Sequence, residues 1–213
     1  EAAGRELLSA PGASGRVSFT TGDVRRAFDI ERALEAGAAM FGPVSGLVNN
    51  AGRNVYADPV TMTEREWEDV FAVDLKSAWL AARAVLPAMK AAKRGAIVNI
   101  ASILGYGVGK GLSSYTTSKA AVIQMTQSLA LEWAFRGIRV NAIAPGYVIT
   151  EINRDYLTGP DGSGMTREIP IGRFGKEEDF DGVLLLLLSQ AGAFMTGTTV
   201  TVDGGQRIAL RGV

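Results

Sequence analysis

Neither cysteine nor histidine occurs anywhere in the 213 residues. Without cysteine there are no disulfides and no thiolate chemistry, and a reducing cytoplasm is the expected location. Without histidine no Ser-His-Asp triad and no histidine-rich zinc centre can be built, and no metal site is expected. Net charge is missing too: 22 basic residues balance 22 acidic ones. A neutral chain gives no electrostatic footprint for nucleic acid or an anionic membrane surface. The longest aliphatic run, Val183–Leu188, is far short of the roughly 20 apolar residues that span a bilayer. No basic-then-apolar signal segment opens the chain. It starts at Glu1 with no methionine, so the start is expected to be processed or incomplete.

What remains is an ordinary globular balance, 47% apolar and 21% charged, at a length that suits one domain of residues 1–213. Short apolar segments alternate with longer helical ones. Val17–Thr20 reads as a strand ahead of Gly22-Asp23. Val24–Phe41 has helical spacing and stops at Gly42-Pro43. Gly46–Asn49 is a strand that enters Asn50-Ala51-Gly52. Thr63-x-x-Glu66 has the form of a capping box, opening a helical region to about Ala92. Strand Ala96–Ala101, helix Ser113–Phe135, strand Ile138–Ala144, helix Glu177–Ser189 and strand Thr198–Val202 follow. Such alternation implies parallel strands joined by right-handed crossovers. Strands this apolar are covered on both faces. The fold class is therefore α/β, a three-layer αβα sandwich on a doubly wound parallel sheet. Ligands of such sheets bind beyond the carboxyl ends of the strands. Asp23, the Asn50–Gly52 turn, Ser102 and Pro145-Gly146 all fall there.

Tyr115 and Lys119 are four residues apart in a helical stretch, hence on one face. A free phenol, with a pKa of about 10, is a poor acid–base group near neutrality. A neighbouring ammonium favours the phenolate. The pair alone also suits an ordinary surface helix. Ser102, thirteen residues before Tyr115, stands where a hydroxyl could hold a substrate oxygen, or could simply cap a turn.

Asn49-Asn50-Ala51-Gly52, Ser102, Tyr115-x-x-x-Lys119 and Pro145-Gly146-x-x-x-Thr150, in this order, resemble the short-chain dehydrogenase/reductase family. Ile97–Ser102, Arg139–Gly146 and Val202-Asp203-Gly204-Gly205 are similar to its strands and C-terminal signature. The likeness covers essentially the whole chain. It implies a Rossmann-like fold and NAD- or NADP-dependent hydride transfer between an alcohol and a ketone. Tyr115 would be the acid–base residue, Ser102 would hold the substrate oxygen, and Lys119 would bind the nicotinamide ribose and lower the phenol's pKa. Asp74 falls at a position where the family often has a catalytic asparagine. Its main-chain carbonyl could still serve, while its charge could alter the lysine's surroundings. The resemblance places Asp23, Val24, Asn50, Ala51 and Gly52 on the adenosine side of the cofactor, and Pro145, Gly146, Val148 and Thr150 on the nicotinamide side. Tyr147 would join Ser102 and Tyr115 at the substrate.

The family's first strand, glycine-rich pyrophosphate turn and second strand have no match in the sequence. Gly12-Ala13-Ser14-Gly15 reads as an ordinary loop, because a strand rather than a helix is expected next. One β-α-β unit, roughly 40 residues, is thus expected to be absent, through an incomplete sequence or a rearranged segment. A naturally shortened, non-catalytic relative acting as a binding or scaffold subunit is the alternative. The missing strand carries the residues that tell NAD from NADP, so both stay open. Residues 151–172 are expected to form a lid over the substrate, with Tyr147, Tyr156, Met165 and Phe174 as an apolar wall. A 3-oxoacyl thioester and a sugar or polyol are both compatible substrates. A carrier-protein substrate would need a basic docking patch, for which Arg136, Arg139, Arg167 and Arg173 are the candidates. Family members commonly form tetramers, and a homotetramer is expected.

Overall fold

The structure is a computed structural model that describes residues 2–150, 153–160, 162 and 164–209. Four strands form one parallel sheet: β1 (Gly46–Asn49), β2 (Gly95–Ile100), β3 (Ile138–Pro145) and β4 (Thr199–Val202), side by side in chain order. The helices are α1 (Ala2–Ser9), α2 (Ala27–Phe41), α3 (Glu64–Phe71), α4 (Ser77–Ala92), α5 (Ser113–Trp133), α6 (Arg154–Thr158) and α7 (Asp181–Leu188). The β1 bounds agree with the sequence pattern, and the other three strands shift by a residue at one or both ends.

Alternation along the strands sets the layers. On one face Leu47, Ile97 and Val140 meet Leu34 of α2, Ala82, Val85 and Met89 of α4, and Ala130 and Trp133 of α5. Val98, Ile100, Ile143, Val200 and Val202 point the other way, onto Val183, Leu184 and Leu187 of α7. Truncating a buried Met89 or Ile97 to alanine would cost about 2–5 kcal/mol. Strand order runs on in one direction while α7 changes face, so the last crossover has the opposite hand to the two before it. That departs from the uniform hand expected.

The local signals are physical ones. Thr63 accepts the Glu66 N–H at 3.2 Å, while the Glu66 carboxylate takes the Thr63 N–H at 2.9 Å, closing the capping box that starts α3. The asparagines inside the strands are partnered, whereas the buried Thr199 Oγ1 of β4 has no hydrogen-bond partner among the described residues. Asn49 Nδ2 donates to Asn99 Oδ1 at 2.8 Å, and Asn99 Nδ2 donates to Thr126 Oγ1 at 2.9 Å, tying β1 and β2 to α5. Asn141 donates to the Met195 carbonyl and accepts from the Thr198 N–H.

Two further expectations fail. Val17–Thr20 is not a strand: no described strand pairs with it. A strand is a pairing relationship, and without a ladder the backbone groups go to water or turns. The Phe19 ring packs instead against Gly4 of α1, a helix that the sequence reading did not anticipate. Second, the helix expected over Glu177–Ser189 opens as a 3-10 turn, Glu177–Phe180, before α7. The Gly12–Gly15 segment is an ordinary turn that leads into no helix, as read from the sequence.

Candidate active site

The carboxyl end of β2 delivers Ala101 and Ser102 to the rim of the sheet. Ser102 is extended, 7% exposed, and its hydroxyl accepts the Leu104 N–H at 3.1 Å, capping the short turn Ile103–Gly105. The turn-capping reading of this serine is therefore the one the hydrogen bonds show. That turn lies tight on α5: a Cβ at Gly105 would come within 2.9 Å of the Lys119 carbonyl oxygen. This close approach sets Ser102 beside the first turn of α5, where its hydroxyl acts on the Tyr115 phenol. One turn further along α5, the Lys119 ammonium lies 5.5 Å from the centre of the Tyr115 ring. It donates to the Ile100 carbonyl at 3.0 Å.

Asp74 completes the cluster. It sits in a π-helical turn, Ala72–Lys76, between α3 and α4, closed by the Ser77 N–H on the Ala72 carbonyl. Turns of this kind gather at functional sites. Asp74 Oδ2 lies 3.6 Å from Lys119 Nζ, with both side chains buried. Oδ1 accepts the Arg53 N–H at 2.8 Å. The Ser118 hydroxyl lies 3.0 Å from Oδ2 and 2.8 Å from the Tyr115 carbonyl, and its one proton serves either. Burial pushes the lysine down from its ordinary range, against the pull of Asp74. Burial also pushes the Tyr115 phenol up; the Ser102 hydrogen bond opposes this and the Asp74 charge adds to it. Ser118 and Arg53 were not singled out from the sequence. Their part shows only through contacts 44 and 21 residues away along the chain.

The Asn50–Gly52 turn leaves the end of β1 directly above this cluster. A Cβ at Gly52 would stand 3.4 Å from Lys119 Nζ and 3.8 Å from Asp74 Oδ1, so the missing side chain keeps the ammonium open from that side. Asp23 and Val24 lie in the loop before α2. Asp23 is held by Arg25, Arg25 reaches Asp69 at 3.1 Å, and Asp69 meets Arg53 at 3.7 Å. That run of alternating charges connects the Asp23 loop to the turn after Gly52. Arg25 draws the Asp23 carboxyl down to about 2, chiefly by their hydrogen bonds.

Beyond β3, the Gly146 N–H bonds the Val202 carbonyl, Val148 pairs with Gly175, and the Thr150 N–H bonds Asn153 Oδ1. Pro145, Gly146, Val148 and Thr150 therefore share the carboxyl edge with Ser102. Tyr147 is not brought to Tyr115 by any described contact. It packs on Leu157, Ile169, Phe174 and Met165, and lines a cavity of about 180 Å³ with Phe180 and Asp203. Met165 and Phe174 thus belong to a small core. The Tyr156 side chain, and residues 151, 152, 161 and 163 of the expected lid, lie outside the described part.

The four arginines that a carrier-protein substrate would need do not share one patch. Arg136 and Arg139 flank the amino end of β3, while Arg167 and Arg173 lie past its carboxyl end, about 20 Å away by strand rise. Arg139 is occupied by the carbonyls of Leu187, Ser189 and Met195, and Arg173 by Asp179 at 2.6 Å. Among the described residues no acidic cluster could hold a metal ion, and no helix is long and apolar enough to cross a membrane.

The donor set fits a nicotinamide nucleotide at its ribose end, where the Lys119 ammonium lies beneath Gly52, which has no side chain; the Asp23 carboxylate, near the other end, is bonded by Arg25. No described segment offers a glycine-rich turn opening a helix.

Comparison with known proteins agrees. Residues 2–207 match the family model described as enoyl-(acyl carrier protein) reductase. A 3-oxoacyl-[acyl-carrier-protein] reductase of Thermotoga maritima is 37% identical over 199 residues, 93% of this chain and 80% of that protein. A 2-dehydro-3-deoxy-D-gluconate 5-dehydrogenase of Dickeya dadantii is 40% identical over 81% of this chain and 69% of its own. The crystal structure of a gluconate 5-dehydrogenase from Burkholderia cenocepacia, in complex with NADP and tartrate, superposes with a TM-score of 0.85. It is 31% identical, covering 90% of this chain and 75% of that one. The chain belongs to the short-chain dehydrogenase/reductase family, whose members are NAD- or NADP-dependent oxidoreductases.

Proposed function

We propose that this enzyme interconverts a secondary alcohol and a ketone, with Tyr115 moving the proton, Ser102 holding the reacting oxygen and Lys119 holding the nicotinamide ribose. The observation that carries the reading is the convergence of a half-buried phenol, a serine hydroxyl and a buried ammonium at the carboxyl edge of the sheet. The nicotinamide cofactor, when bound, supplies or accepts the hydride at the substrate carbon. In the reducing direction the Tyr115 O–H gives its proton to the carbonyl oxygen, and the Ser102 hydroxyl bonds that same oxygen. Positioning and a tuned proton donor are then the protein's whole contribution. Asp23, Val24 and Asn50–Gly52 would receive the adenosine end, and Pro145, Gly146, Val148 and Thr150 the nicotinamide.

For the substrate, the separation of the four arginines, with Arg139 and Arg173 occupied, favours a small sugar acid or polyol over a carrier-protein thioester. The chain between β3 and α7 would cover it, with Tyr147 at its side. The reading includes a homotetramer, supported by the exposed Trp79, Leu131, Phe135 and Phe194, and a cytoplasmic location.

The test is the change in nicotinamide absorbance with NAD or NADP, against a panel of polyols, sugar acids and 3-oxoacyl thioesters. Wild type should turn over at least one class. Tyr115→Phe should lose about 100- to 10,000-fold in kcat. Equal rates would overturn the assignment. No turnover by either, with bound cofactor demonstrated, would favour a non-catalytic subunit.

A further inference from the structure

Lys119 and Asp74 form a buried ion pair directly behind the Tyr115 ring. Their side chains are 4% and 0% exposed. The carboxylate is held from three sides, by the Arg53 N–H at 2.8 Å, the Ser118 hydroxyl at 3.0 Å and Lys119 Nζ at 3.6 Å. It is thus a fixed charge in the site and not a surface group free to swing into water. Arg53 offers only its backbone here, its guanidinium being turned to Asp69. Helix α5 brings Lys119 itself, and β2 brings the neutral Ile100 carbonyl and Ser102. The Asp74 charge acts on both the Tyr115 phenol and the Lys119 ammonium.

An ammonium alone behind the phenol would favour phenolate. An ammonium neutralised at 3.6 Å loses most of that influence, because opposite charges of one dipole nearly cancel at the ring. We propose that Asp74 is a positioning residue whose buried carboxylate neutralises Lys119, setting the site to give a proton to a carbonyl oxygen at neutral pH rather than to take one from an alcohol. This rests on the oxidoreductase reading above and adds to it a preferred working direction.

The proton balance makes the consequence measurable. In reduction the substrate carbon would gain a hydride with its electron pair from the broken C–H bond of a reduced nicotinamide, the C=O π pair would move onto oxygen, and the Tyr115 proton would end there. The phenolate left behind regains a proton from solvent. In oxidation the same phenolate must be present first. Burial, opposed by Ser102 and aided by Asp74, holds the phenol above its ordinary range. Oxidation should therefore rise about tenfold per pH unit through neutrality, while reduction stays level.

The test reads Tyr115 ionisation directly, without turnover. The tyrosinate ultraviolet absorbance of wild type minus that of Tyr115→Phe isolates this phenol during a pH titration. The same difference is taken in Asp74→Asn, in Lys119→Met and in the double variant. The amide introduced by Asp74→Asn keeps the shape of the carboxylate, and its oxygen can still accept the Arg53 N–H. The expected order of midpoints is Asp74→Asn lowest, by about one pH unit or more, then wild type and the double variant together, then Lys119→Met highest. A packing role alone would not make the double variant match wild type. Asp74→Glu, which keeps the charge, should stay with wild type and serves if Asp74→Asn fails to fold. Equal midpoints in wild type and Asp74→Asn, or a Glu variant that titrates far from wild type, would overturn the proposal. Catalytic failure with the expected titration order would instead count against the proposed function and leave this inference standing.

Discussion

Lys119 reaches from the second turn of α5 to the Ile100 carbonyl, 3.0 Å away at the end of β2. One bond thus locks the helix that carries Tyr115 to the strand that delivers Ser102. Removing it is expected to be costly twice over. Lys119→Met deletes that tie and leaves Asp74 buried without its cation, which typically costs about 3–5 kcal/mol. Lys119→Met/Asp74→Asn should recover about half of the loss in urea unfolding. Burial also holds the lysine below 10.5. The unfolded chain then binds more protons between the two values. Wild-type stability should gain from this group as pH rises from the lowered value towards 10.5, a gain that Lys119→Met lacks. A single variant no less stable than the double one would refute the ion-pair account.

Ser102 holds two jobs on one hydroxyl, and they separate by substitution. Ser102→Ala loses the cap on Leu104, worth about 1 kcal/mol of stability. It also loses the bond to the reacting oxygen, worth about 100- to 1,000-fold in kcat. Ser102→Thr keeps the oxygen and should keep the cap. Steady-state rates beside thermal melts test this. A Ser102→Ala enzyme that is destabilised but fully active would reduce Ser102 to a turn residue.

The site was legible in the sequence where it depended on short spacing. Tyr115 and Lys119 share a face because residues four apart must do so on a helix, and Ser102 follows a strand whose apolar run marks its end. Asp74 shows the limit. Its position was visible, but the π turn that carries it adds a residue inside continuous helix, which a period of about 3.6 cannot reveal. Its partners Arg53 and Ser118 are brought in by tertiary packing alone. Val17–Thr20 fails for the reverse reason. Its composition suits a strand, but strands are made by neighbours. Whether the four candidate arginines share a patch is not legible in the sequence, because distance along the chain says nothing about which edge of the sheet each occupies.

Asp23 reaches its proposed role already engaged. Arg25 Nε stands 3.0 Å from both carboxylate oxygens, Nη2 stands 2.7 Å from Oδ2, and the Arg25 N–H stands 3.0 Å from Oδ1. These bonds set its pKa at about 2. A depressed carboxyl stabilises the fold above its unfolded value of 3.8 and loses that contribution as pH falls towards 2. Arg25→Gln should return the Asp23 carboxyl towards 3.8 in a carbon-detected NMR titration. It should also leave the carboxylate free to receive an amino group, tightening NADH or NADPH binding by fluorescence titration. Weaker binding in Arg25→Gln would place Arg25, rather than Asp23, at the adenosine.

Asn49 and Asn99 face each other in register at the last position of β1. Their amide contact continues into Thr126 on α5. The ladder sits one residue ahead of the Asn50–Gly52 turn and three ahead of Ser102, so its rigidity is passed to both walls of the site. Thr126→Val should strand the Asn99 Nδ2 in a buried setting, costing about 1–3 kcal/mol. With Asn99→Leu already in place there is no amide to strand, and adding Thr126→Val should cost less than about 1 kcal/mol. The difference, read as the coupling energy of a double-mutant cycle in urea, isolates the hydrogen bond from the packing. Coupling near zero would mean that the asparagines hold their places by strand pairing alone. The site edge would then owe its shape to the sheet and not to this buried polar ladder.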